Sequence, residues 1–171
     1  MFEDLIKLPR TAEVLGRYGM EVRNGYQDKL IEHNRIASGR LLNSIEFFTE
    51  IGDDTYEVYL RLEDYWKYVE NDTVPHMPPV NKILEWVRVK PVLPRPKDGR
   101  LPTPEGLAWA IARTIEKEGT EGTHDLEETL EVVNARYFIL ITEALAEDLA
   151  FAVKAELELL VRPYSNSNPS E

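Results

Sequence analysis

Three histidines, a run of carboxylates and a group of aromatic and basic side chains are the residues here whose types could do chemistry. His33, His76 and His124 are far apart, with no His-x3-His pair, and the chain has no cysteine. Zinc, thiolate and iron–sulfur chemistry therefore lack their ligands, and each histidine reads as a surface or loop residue. Glu127, Glu128 and Glu131 could serve as acid–base groups, but they open a predicted helix, where the dipole favours carboxylates. Asp53 and Asp54 after Gly52 read as turn chemistry rather than as a metal pair. No phosphate loop, nucleophile elbow or His-Glu-x-x-His is present. The expectation is a protein that is not an enzyme, with no catalytic residue, cofactor or metal.

Charge patterning says more. The 171 residues hold 20 Lys and Arg against 31 Asp and Glu, a net charge of -11, which repels nucleic acid. Residues 82 to 101 run the other way, with Lys82, Arg88, Lys90, Arg95, Lys97 and Arg100 against only Glu85 and Asp98. Residues 125 to 158 are strongly acidic, holding only Arg136 and Lys154 as basic residues. A basic surface on one copy could meet the acidic surface of the next, the head-to-tail pattern that closes into a ring. Tyr65, Trp66, Tyr68 and Trp86 lie near the basic stretch, and aromatics with arginine favour interface centres. The expected interface is therefore Tyr65, Trp66, Tyr68, Trp86, Arg88, Lys90, Arg95, Lys97 and Arg100. The competing reading makes the charges solvated faces and the aromatics plain core.

The elements that must position these residues follow from periodicity. Val14, Tyr18, Val22, Tyr26 and Leu30 predict a helix from Thr11 to about Asn34, and Gly16, Gly19 and Gly25 within it suggest close packing. The stretch Ala37 to Ile45 breaks that period. Ile45, Phe47, Thr49 and Ile51, then Tyr56, Val58, Leu60 and Leu62, alternate as a β-hairpin about Gly52-Asp-Asp54. Residues 63–70 predict a short helix, 71–79 a loop, and Pro79 the start of a helix ended by Pro91. Five prolines between Pro91 and Pro104 predict an extended arm over 91–103. Thr103-Pro104 opens another helix and Gly119 closes it.

Asp125 and Glu128 have capping-box spacing, and Leu126, Leu130, Val133, Tyr137, Ile141, Leu145, Leu149, Ala152 and Val153 predict one long stripe on a final helix. Unbroken to about Val161, that helix is longer than its own core needs, so it either kinks or meets another chain. The polar tail 164–171 is expected to be disordered. The fold class is thus α+β: a small antiparallel sheet built on a β-hairpin, packed against long N- and C-terminal helices, with a proline-rich arm. One domain is expected over 1–163. The first nine residues hold no run of signal-peptide length, and no apolar run is long enough to span a membrane.

The order of elements carries two local strings. Gly39, Leu41, Ser44 and Ile45 match a Gly-x-Leu-x-x-Ser-Ile string that leads into a sheet. Tyr68, Val69, Glu70 and Thr73 match a Tyr-Val-Glu-x-Gly-Thr-like string after it, with Asp72 where a glycine is usual. Over about residues 37–80 the chain resembles the head-to-tail connector and tail-completion proteins of tailed bacteriophages. The segment 89–123 departs from the short versions and looks more like neck ring proteins of crAss-like phages. The resemblance implies a structural virion protein of the phage neck, assembled in the bacterial cytoplasm as a ring between portal and tail. It implies a homo-oligomeric ring, twelve copies favoured and six the alternative, touching portal and other neck or tail proteins. DNA would pass through without specific binding, and no membrane would be involved. Two rival readings are a cytosolic protein-binding adaptor and, more weakly, a metal-dependent hydrolase or nuclease.

Overall fold

The computed structural model describes residues 8–52, 55–90, 94 and 101–161. Its elements run α1 (Pro9–Glu32), α2 (Arg40–Ser44), β1 (Glu46–Ile51), β2 (Tyr56–Arg61), α3 (Trp66–Glu70), α4 (Val80–Val89), α5 (Pro104–Glu118) and α6 (Asp125–Val161). This is the α+β arrangement expected, with two long helices and one hairpin. Most of the arm over 91–103, the turn residues Asp53 and Asp54, and the tail 164–171 lie outside the described residues.

The core is the seam between α1 and α6, which run antiparallel. Val14, Val22, Tyr26 and Leu30 on α1 meet Leu126, Val133, Tyr137 and Ala144 on α6, and Leu41 and Ile45 join the same cluster. The rings of Tyr18 and Tyr137 meet edge to face at 5.6 Å. Gly19 and Gly25 sit where another element crosses closely. A Cβ on Gly19 would stand 2.9 Å from Phe47 Cγ of β1, and one on Gly25 would stand 2.9 Å from Thr129 Cγ2 of α6. Gly16 faces open space, so close packing explains two of the three glycines.

The hairpin pairs Phe47 with Leu60 and Thr49 with Val58, the register its alternation predicts. Its inner face lies on α1. On the outer face Phe48 stacks on Tyr59 at 5.4 Å, and Arg61 lies over the Phe48 ring. Two sequence expectations change. The stretch before the sheet holds one helical turn, α2, because Gly39 adopts φ 75° and lets the chain reverse into it. The local capping box at Asp125 and Glu128 does not form; the start of α6 is capped by Glu70, across 56 residues of chain.

Helices α4 and α5 form a second pair. Thr103 accepts a hydrogen bond from Gly106 N at 3.1 Å, opening α5, and Gly119 with φ 76° ends it. Ala108 and Ala112 of α5 are fully buried, small enough to let a neighbouring helix approach. A two-residue bridge, Thr73 with Thr120, ties this pair back to the loop after α3. Helix α6 is continuous over 37 residues, about 55 Å at 1.5 Å per residue.

Candidate subunit interface

The aromatic and basic residues expected to form an interface divide into two groups. The Tyr65 hydroxyl accepts a hydrogen bond from Leu41 N at 2.9 Å, holding α2 against the turn before α3, with the residue 37% exposed. Trp66 packs against the core. Both belong to the framework. Tyr68 is 60% exposed, with Lys67 over its ring, and Trp86 is half-exposed, with Lys90 Nζ 5.7 Å from its ring centre. The cations beside them are engaged within the chain. Arg88 pairs with Glu105 of α5 at 2.9 Å, and Lys90 donates to Asn34 O at 2.6 Å. Arg95, Lys97 and Arg100 lie outside the described residues.

The histidines and acids serve the frame. His76 Nδ1 lies 2.8 Å from Val74 O, and His124, at φ 55°, lies beside Asp72 and Glu127. His33 Nδ1 is 2.7 Å from Asp125 Oδ1. Among the described residues no group of three or more ligating side chains converges as a metal site. The surface depression lined by Arg23, Glu46, Phe48 and Arg61 is shallow and open.

Two buried carboxylates, Glu70 of the second string and Asp148, which the sequence did not single out, do positional work. Glu70 Oε1 accepts from Leu126 N at 2.6 Å and Glu127 N at 3.1 Å, capping α6. Asp148 accepts from Thr11 N at 2.9 Å and Thr11 Oγ1 at 3.0 Å, capping α1. Each long helix thus begins on a carboxylate supplied by another element, where unpaired amides and the helix dipole favour negative charge. Behind Glu70 and Asp125 lies the Tyr26 hydroxyl, fully buried; among the described residues it makes no hydrogen bond of regular geometry, although the Glu70 carboxylate lies near enough to act on it. Burial first, then the nearby carboxylates of Glu70 and Asp125, pushes its pKa far above the ordinary phenol value.

Helix α6 shows what the stripe reading missed. Val133, Tyr137, Ala144 and Asp148 are buried, but Leu145, Leu149 and Val153, expected on the same stripe, are exposed. Each step of four residues turns a helical position by about 40°, so the series 137, 141, 145, 149, 153 walks off the α1 side and round to the outside. Only a mixture of three- and four-residue steps stays on one face. Beyond Asp148, where α1 begins, thirteen more residues of α6 continue to Val161. Phe151, Leu160 and Val161 there are each at least 75% exposed.

No protein-family model, characterised protein or solved structure matches the chain. No helix among the described residues is long and apolar enough to cross a membrane.

Proposed function

We propose that this protein is a structural subunit of a tailed-phage neck, assembling as a ring of identical copies between portal and tail. The observation that carries the reading is α6, a continuous helix whose outer side is largely apolar and left bare by the described residues. Such a surface suits a permanent place in an assembly better than it suits a free monomer. The two strings that resemble connector proteins support it from the other end. Leu41 and Ser44 anchor the turn into the hairpin, through Tyr65 OH and Glu63 N respectively, and Glu70 and Thr73 fasten α6 and α5. These are joints of a frame, and a ring subunit needs a rigid frame more than it needs a pocket.

Native mass spectrometry of the purified chain, alone and mixed with its portal ring, tests the reading. A closed ring in solution, or one that forms only on the portal, is the expected result and gives the copy number directly. A monomer indifferent to the portal overturns it and favours a protein-binding adaptor.

A further inference from the structure

We propose that the outer face of α6 over residues 138–161 packs between two neighbouring copies of this chain, with an α6 helix on each flank. The placement rests on the ring reading above and names the surface that would close the ring.

At about 100° per residue, α6 carries two apolar faces. One is the buried seam with α1, through Val133, Tyr137 and Ala144. The other lies on the far side, where Phe138, Ile139, Leu149, Val153, Leu157 and Leu160 are between 44% and 79% exposed. The charged residues Arg136, Glu143, Glu147, Lys154 and Glu158 fall within a sector of about 60° beside the outer face. They border that face; Glu156, eighteen residues after Phe138 and so at the same angle on the helix, is the acid that falls within it.

The spacing is that of a helix-on-helix contact. Ile139, Thr142, Ala146, Leu149 and Val153 alternate steps of three and four; the next step of three falls on Glu156, and Leu160 resumes the series. A two-helix seam would carry charges at the flanking positions; Glu143 is one, yet Phe138, Leu145 and Leu157 there are apolar. From Leu145 round to Val161 the apolar sector spans about 160°, wider than one partner helix covers. Its two flanks therefore need two neighbours. A head-to-tail ring supplies both from one kind of subunit, since each copy offers one flank to each side.

The area agrees. Phe138 is about three-quarters exposed, and with the exposed leucines, isoleucine and valines of the same face the bare apolar surface is on the order of 800 Å². The largest apolar patch on a monomer is about 300–600 Å².

The absence of cysteine makes the test direct. Phe138→Cys and Ile139→Cys place thiols at one height on the two flanks. Each single variant and the double variant are treated with a short bismaleimide, both free and on portal rings. The double variant should give a ladder of trimers and larger species, while each single variant stops at dimers. Adding Leu149→Glu should reduce the ladder more than tenfold with helix content unchanged by circular dichroism. A double variant that stops at dimers overturns the proposal in favour of a two-fold pair. One that stays monomeric, both free and on the portal, overturns it outright. A ladder from a chain that ignores the portal sustains this interface and removes the neck reading; a portal-bound ring without a ladder does the reverse.

Discussion

Glycine and tyrosine at single positions in α1 give the sharpest tests of how the frame is held. Gly16 and Gly19 are three residues apart in one helix, but only Gly19 is crossed by the Phe47 ring. Gly16→Ala should stabilise the protein by about 0.5–1 kcal/mol, the helix-propensity difference, whereas Gly19→Ala should destabilise it by roughly 1–3 kcal/mol through overpacking. Urea unfolding of the pair reads the opposite signs; equal effects would mean β1 does not lie where it is described. The glycines were visible in sequence, but the strand that selects between them arrives from 28 residues further on. Tyr26 is a second case. Its folded pKa lies above the unfolded value of 10.0, so the unfolded chain gives up the proton first as pH rises. The tyrosine's stabilising contribution is whole below pH 10 and is lost above it. Stability of the wild type should therefore fall more steeply above pH 10 than that of Tyr26→Phe, followed by urea midpoints across that range. Identical slopes would count against a buried, carboxylate-flanked phenol.

Among the elements, the helices and the hairpin were legible because each has a period, 3.6 or 2, that survives in the residue order. The caps were not. Asp125 and Glu128 have the local spacing of a capping box, yet the amides of Leu126 and Glu127 turn to Glu70, and those of α1 turn to Asp148, 137 residues from Thr11. Glu70 stands in a local string, but nothing in that string says that its carboxylate caps a helix 56 residues further on. The outer face of α6 was half legible: its residues were seen, but steps of four merged them with the α1 stripe. Because both caps are buried and charge-assisted, Glu70→Ala and Asp148→Ala should each cost about 1.5–3 kcal/mol. Glu70→Gln keeps an acceptor for the two amides and should cost less than Glu70→Ala. Equilibrium unfolding in urea checks the order, and a Glu70→Ala variant as stable as wild type would show that α6 does not depend on this cap.

For the whole molecule, net charge and the bare face of α6 pull in opposite directions. Each copy carries -11, so copies repel one another and DNA alike. An apolar contact between like-charged subunits strengthens as salt screens the repulsion, so association of the wild type should increase with ionic strength. DNA binding by a basic surface would instead weaken with salt. The described part of the basic stretch offers little for phosphates: Arg88 and Lys82 are paired with Glu105 and Glu85, and Lys90 is held by Asn34 O. A ring of such subunits around a channel would present a repelling wall along which DNA slides without sticking. Fluorescence anisotropy of a labelled duplex should therefore stay flat up to roughly 10⁻⁴ M protein at physiological salt, in the free chain and in its assembled form. Saturable micromolar binding that falls with added salt would place phosphate-binding cations on the accessible surface. The acidic balance would then serve solubility alone, and the sliding-wall account of the channel would fail even if the ring itself stood.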